Sequence, residues 1–146
     1  MTALPGLNPA AQDTLERWHG VLLSKDVSGL ASIASDTIVF RSPAFFKPYP
    51  GKEAFVFIIS TVSEIFEDFR YERQFATSDG SNAVLEFAAR IGDKSLKGID
   101  MIRFDEDGKF AEFEVMIRPA NALAALAEKM SEKAGPFLAR QRTQSG

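Results

Sequence analysis

Residues 82–118 read NAVLEFAARIGDKSLKGIDMIRFDEDGKFAEFEVMIR, and this stretch decides the fold. Its side chains alternate with a period of two, interrupted by the turn pairs Gly92-Asp93 and Asp107-Gly108. Alternation sends neighbouring side chains to opposite faces of a sheet. One face collects Ala83, Leu85, Phe87 and Ala89, then Leu96, Gly98, Ile102 and Phe104, then Phe113, Val115 and Ile117. The other collects Glu86, Arg90, Lys97, Arg103, Glu112, Glu114 and Arg118 among Val84, Ile99, Met101 and Met116. The first face is therefore the core face. Asp100 falls on it, an acid in an otherwise apolar file. A carboxylate there loses hydration and must be paired, hydrogen-bonded or neutral. Its own strand offers no Lys or Arg on that row. One reading is an acid kept protonated near neutral pH to donate a proton or hydrogen bond. The other is a structural carboxylate satisfied by a helix N-terminus or by an Arg from another element.

Outward from this stretch, the period of two begins at Phe69. Four strands are expected: Phe69–Ser78, Asn82–Ile91, Ser95–Phe104 and Lys109–Arg118. Pro119 ends the sheet and opens a last helix, Ala120–Ala134. Upstream, Asn8-Pro9 reads as a helix start, and the helix runs to Ser24 with Leu15, Trp18, Leu22 and Leu23 inward. A short second helix spans Val27–Ala34, and a strand covers Thr37–Ser42. Pro43, Pro48, Pro50 and Gly51 mark an exposed, rigid loop. A third helix follows, with Ala54, Phe57, Ile58, Thr61, Val62, Ile65 and Phe66 at helical spacing. Three helices followed by hairpin-linked strands make an α+β order. The expected architecture is a curved antiparallel sheet wrapped by three N-terminal helices, plus a C-terminal helix. Residues 1–138 are expected to be one domain and residues 139–146 a disordered tail.

Bulk numbers narrow the function. The chain has 146 residues, 45% hydrophobic and 25% charged, with a net charge of -3, within the range of ordinary globular proteins. Nothing in that charge suits a nucleic-acid partner. Without cysteine, and with one histidine, neither disulfides nor a metal site are expected. No cofactor is implied either. No apolar run approaches the ~20 residues of a membrane span, and residues 1–8 lack the pattern of a signal peptide. No membrane partner is expected, and a cytoplasmic location fits.

The hairpin from Gly98 to Lys109, GIDMIRFDEDGK, resembles the third-strand hairpin of bacterial ketosteroid isomerases. Those enzymes belong to the superfamily of nuclear transport factor 2 and the SnoaL-like polyketide cyclases. Phe40-Arg41-Ser42-Pro43 with Pro50-Gly51-Lys52-Glu53, and Glu16-Arg17-Trp18 with Lys25-Asp26-Val27, are similar to the family's earlier blocks in the same order. The resemblance implies a cystatin-like, cone-shaped fold with a pocket between the sheet and the helices. It implies that Asp100 stands where the isomerases hold their protonated oxyanion-hole acid. It also implies Ser42 in the place of the general-base Asp, and Trp18 in the place of the oxyanion-hole Tyr. A serine with no adjacent base cannot shuttle a proton between carbons. The expectation is therefore a cofactor-free isomerase, cyclase or dehydratase acting on a steroid-, polyketide- or terpenoid-like ring system, and not a ketosteroid isomerase proper. The alternative is a module that binds a ligand or a protein without chemistry.

His19, beside Trp18, is a candidate second catalytic group, with a surface or rim imidazole as the other reading. Trp18, Phe40, Ser42, Phe57, Phe87, Ile102, Phe113 and Val115 are the candidate ligand contacts. Gly98 and Ala89 are expected to leave space beside them. Phe45, Phe46 and Tyr49, in the proline-rich loop, suit a lid over the mouth, with simple packing against the third helix as the other reading. The outer sheet face mixes charge with Ile99, Met101 and Met116, and a homodimer through it is expected.

Overall fold

The computed structural model describes residues 4–144, with side chains described through Arg140. Helix α1, Pro9–Ser24, begins with proline at its first turn, where a missing N–H costs nothing. Asn8 does not cap it through its side chain; its backbone N–H donates instead to Gly80 O at 3.0 Å. A 3-10 turn at Val27–Gly29 leads into a single α turn, α2, Leu30–Ile33. Strand β1 then runs Ala34–Arg41, starting three residues earlier than its alternation suggests. The loop after it is not wholly exposed: Tyr49–Pro50 form β2, paired antiparallel with β1, and Tyr49 is buried. Helix α3, Lys52–Ile65, buries Phe55, Ile58 and Ile59.

Four long strands follow: β3 Glu67–Ala76, β4 Asn82–Ile91, β5 Lys94–Phe104 and β6 Phe110–Arg118. The sheet order is β2-β1-β6-β5-β4-β3. All neighbours are antiparallel except β1 and β6, which run parallel because α3 and three hairpins intervene between them. The face assignment holds along β5, where Leu96, Gly98, Asp100, Ile102 and Phe104 are buried and Lys97, Met101 and Arg103 exposed. Register shifts in β3, between Glu67 and Arg70 and between Tyr71 and Gln74, make its alternation irregular.

Aromatic rings fill the cone. Trp18 meets Phe110 and Phe113 edge-on at 5.6 and 5.2 Å between centroids, and Phe55 joins Phe40, Phe110 and Phe113. Such pairs contribute roughly 0.5–1.5 kcal/mol each beyond their burial. Gly98 does not open space. An added Cβ would sit 2.5 Å from Phe87 Cζ and 2.6 Å from the Met116 carbonyl oxygen, so the Phe87 ring occupies the gap. Leu23, expected inward, is 82% exposed.

The C-terminal helix departs most from expectation. Helix α4 runs Ala120–Gln144, through Pro136 and past the expected end at Ala134. Ala122, Leu126, Ala134 and Leu138 are buried along it, and Phe57 stacks on Phe137 at 4.0 Å. The helix continues without a break through residues 139–144, a stretch expected as a disordered tail; residues 145–146 lie outside the described residues. No helix among the described residues is long and apolar enough to cross a membrane.

Candidate active site

A cavity lies between the inner sheet face, the end of α1, α3 and α4. Asp100 is at its floor, 5% exposed, and opposite Leu85 on β4 and Val115 on β6. Trp18, Phe40, Ser42, Phe87, Phe113 and Val115 line the same cavity. Two expected contacts, Ile102 and Phe57, and the candidate catalytic group His19 do not. Ile102 is wholly buried in the aromatic core, and Phe57 faces Phe137 across the α3–α4 interface. His19, neither surface nor rim, is buried behind the site with its Nε2 unpartnered among the described residues. Adjacent helical residues point about 100° apart, so Trp18 takes the cavity and His19 turns away. His19 packs edge-on against the Tyr71 ring at 5.2 Å. Burial lowers its pKa to about 4, so the imidazole is neutral at physiological pH.

The partner of Asp100 is neither a helix terminus nor an arginine. Tyr71 donates its hydroxyl to Asp100 Oδ2 at 2.5 Å, and Trp18 Nε1 donates to the Tyr71 oxygen at 2.8 Å. An indole N–H can only donate, so the Tyr71 oxygen accepts from Trp18, and the Tyr71 hydroxyl in turn donates to Asp100. The carboxyl's other oxygen, Oδ1, makes no side-chain hydrogen bond among the described residues. Burial pushes Asp100 up to about 7, with the Tyr71 bond partly opposing. Tyr71 itself is driven well above the ordinary phenol range, first by burial and then by the Asp100 charge. It keeps its proton while Asp100 can exchange one near neutral pH.

Sequence pattern alone does not single out Tyr71. It stands on β3, the strand with two register shifts, and pairs with Phe87 rather than with the Leu85–Asp100 row. Its one local signal is the two-residue spacing from Phe69, which also lines the cavity. Ser42 lies at the cavity edge, where its Oγ accepts from the N–H groups of Ala44 and Phe45 at 3.2 and 3.1 Å. That hydroxyl folds the loop and has no base beside it. Phe45 and Tyr49 line the cavity, whereas Phe46 is fully exposed. Helix α4 adds Leu126, Met130 and Leu138, a wall that the sequence does not suggest.

The SnoaL-like domain model matches residues 15–113, from α1 into β6. The chain belongs to the SnoaL-like domain family. No curated protein matches it. Among solved structures, this SnoaL-like chain is similar to a Pseudomonas aeruginosa protein described as a steroid delta-isomerase. The two are 49% identical over 94% of this chain and 99% of that one, with a TM-score of 0.88. An uncharacterized protein with a cystatin-like fold from Silicibacter pomeroyi DSS-3 is 27% identical, covering 95% of this chain and 96% of that one, at a TM-score of 0.82. A de novo designed protein with a curved β-sheet shares the fold at 9% identity and a TM-score of 0.66, covering 82% and 95% of the two chains.

Proposed function

We propose that this SnoaL-like protein binds a small apolar molecule in the cavity and uses Asp100 as a cofactor-free acid on it. The observation that carries the reading is the one-way chain Trp18–Tyr71–Asp100. It occupies one carboxyl oxygen and leaves the other as the site of proton exchange. A neutral Asp100 can place its proton on a ligand carbonyl or hydroxyl, supporting isomerisation, cyclisation or loss of water. The apolar walls exclude water and keep that hydrogen bond strong. A steroid-, polyketide- or terpenoid-like ring system suits walls of Phe, Ile, Val and Leu.

Similarity to the Pseudomonas aeruginosa protein makes a 5-ene-3-ketosteroid the first substrate to try. Ser42 stands where a proton-abstracting base is needed, so the expected isomerisation is at most a trace. Ser42→Asp should raise it. The decisive measurement is a carbon-13 titration of the Asp100 carboxyl in the free protein. A midpoint near 7 supports the acid; a midpoint in the ordinary carboxylate range means an ionised structural group and a binding module without chemistry. Robust steroid turnover by the wild type would instead overturn the exclusion of a base.

Two copies are further proposed to associate through the outer sheet face, where Met101 and Met116 are 39% and 42% exposed. Most charges there pair within the chain, Arg73 and Lys97 with Glu86 and Arg103 with Glu112, which leaves the methionines as the cohesive part. Met116→Glu should yield monomers without unfolding. A monomeric wild-type mass at micromolar concentration would refute the association.

A further inference from the structure

The two ends of the cavity carry different chemistry. Trp18, Leu22 and Lys25 stand at i, i+4 and i+7 along α1, and all three line the cavity. Trp18 marks the deep end, since it is one hydroxyl away from Asp100. At 1.5 Å per residue, Lys25 lies about 10 Å farther along the helix axis. It is exposed and shares the lining with Ser42, Ala44 and Phe45, so it marks the mouth. Among the described residues, Lys25 and Asp100 are the charged side chains of the lining, and apolar residues such as Leu22 and Val62 separate them.

Two details set Lys25 apart from an ordinary surface lysine. Its backbone is left-handed, with φ of 57°, at the C-terminal cap of α1. Glycine is the residue favoured there, because a Cβ is strained in that conformation. Its nearest acid in sequence, Asp26, is engaged elsewhere: Oδ1 accepts from the Ser28 N–H at 3.1 Å and from Ser28 Oγ at 2.7 Å. Lys25 forms no ion pair among the described residues.

We propose that the ligand is an amphiphile with an anionic end, its apolar body lying between a carbonyl or hydroxyl at Asp100 and a carboxylate-like group at Lys25. This rests on the cavity being a ligand site and adds the class of molecule it takes. A lysine ammonium on its flexible stem suits an anion at an open mouth, where the pair is worth a small factor that salt reduces.

The probes are a steroid carboxylate and its methyl ester, used below micelle-forming concentrations. Binding is read from the fluorescence of Trp18, the single tryptophan. At low ionic strength the carboxylate should bind wild type about two- to fivefold tighter than the ester. That preference should vanish in Lys25→Gly and Lys25→Gln and shrink at high salt. Lys25→Gly also relieves the left-handed backbone, so its melting temperature should be unchanged or higher. Equal affinities in wild type, or a preference that survives both substitutions, overturn the proposal. Ester binding without a preference removes only the role of Lys25. Failure of both probes to bind removes the ligand site as well.

Discussion

Glu86 and Asp100 are neighbours in one ladder: Glu86 stands opposite Ile99, and Asp100 stands opposite Leu85, one position farther on. Their side chains leave the sheet in opposite directions. On the outer face the Arg73 guanidinium grips both Glu86 oxygens at 2.7 and 2.8 Å and draws its carboxyl down to about 2. On the inner face Asp100 meets apolar walls and one phenol, and burial pushes it up to about 7. One functional group in adjacent register thus becomes a permanent anion on one side and an exchangeable acid on the other. What separates them is the face of the sheet and the company found there.

The largest expected break in that contrast comes from Asp100→Asn. The amide oxygen can still accept from Tyr71, so the fold should survive, while any proton transfer should fall about 100- to 10,000-fold. The same variant should be more stable than wild type at mildly alkaline pH. The folded pKa of Asp100 lies above its ordinary 3.8, at about 7, so its stabilising contribution is complete below 3.8 and lost as pH rises through 7. The ionised form then bears a desolvation cost on the order of a few kcal/mol. Urea midpoints above the folded pKa check this; a less stable Asn variant would mean that the carboxylate is well solvated.

Next in size is a slope that wild type hides. His19 shifts the opposite way, from 6.5 to about 4, so its contribution is present above 6.5 and lost as pH falls through 4. Between roughly pH 4 and 6.5 the two groups oppose and nearly cancel in wild type. In Asp100→Asn only His19 remains, and stability should fall by about 1.4 kcal/mol per pH unit toward the acid end of that window. In His19→Gln the reverse slope of Asp100 should emerge. Parallel profiles in all three proteins would break the assignment of either group.

The smallest effect belongs to Glu86→Gln. It removes the Arg73 contacts, but Arg73 is exposed and salt screens the pair. The melting temperature should change less than in Asp100→Asn at mildly alkaline pH, and less again at high salt. An equal or larger change would show that the outer pair matters as much as the inner acid.

Much of this contrast is legible in the chain's own pattern. Residues 82–104 alternate closely on both sides of the Gly92-Asp93 turn, so both the face of Asp100 and the strand bounds of β4 follow from period and turn residues. Strand β3 is not legible in the same way, because its register shifts break the period and hide Tyr71 with it. The spacing in α1 places Trp18 inward but cannot choose between Trp18 and His19 for the cavity. That choice depends on the angle at which the helix meets the sheet. The sequence ends the last helix at Ala134 because Gly135-Pro136 follow, and reads residues 139–146 as a tail because they are largely polar; Phe57 and the cavity wall give Phe137 and Leu138 something to pack against, and the helix runs on.

By itself, then, the sequence determined the α+β order, the hairpins and the presence of one acid on an apolar row, since period and turn chemistry are local properties of the chain. Only the tertiary structure decided what that acid is. Tyr71 and Asp100 lie 29 positions apart in the chain, and Trp18 lies 53 from Tyr71. The pKa of Asp100 depends on the phenol that those distances bring to it and on the walls that α3 and α4 place over it. Hydration loss and hydrogen-bond direction arise from contacts between distant segments, and no local pattern encodes them.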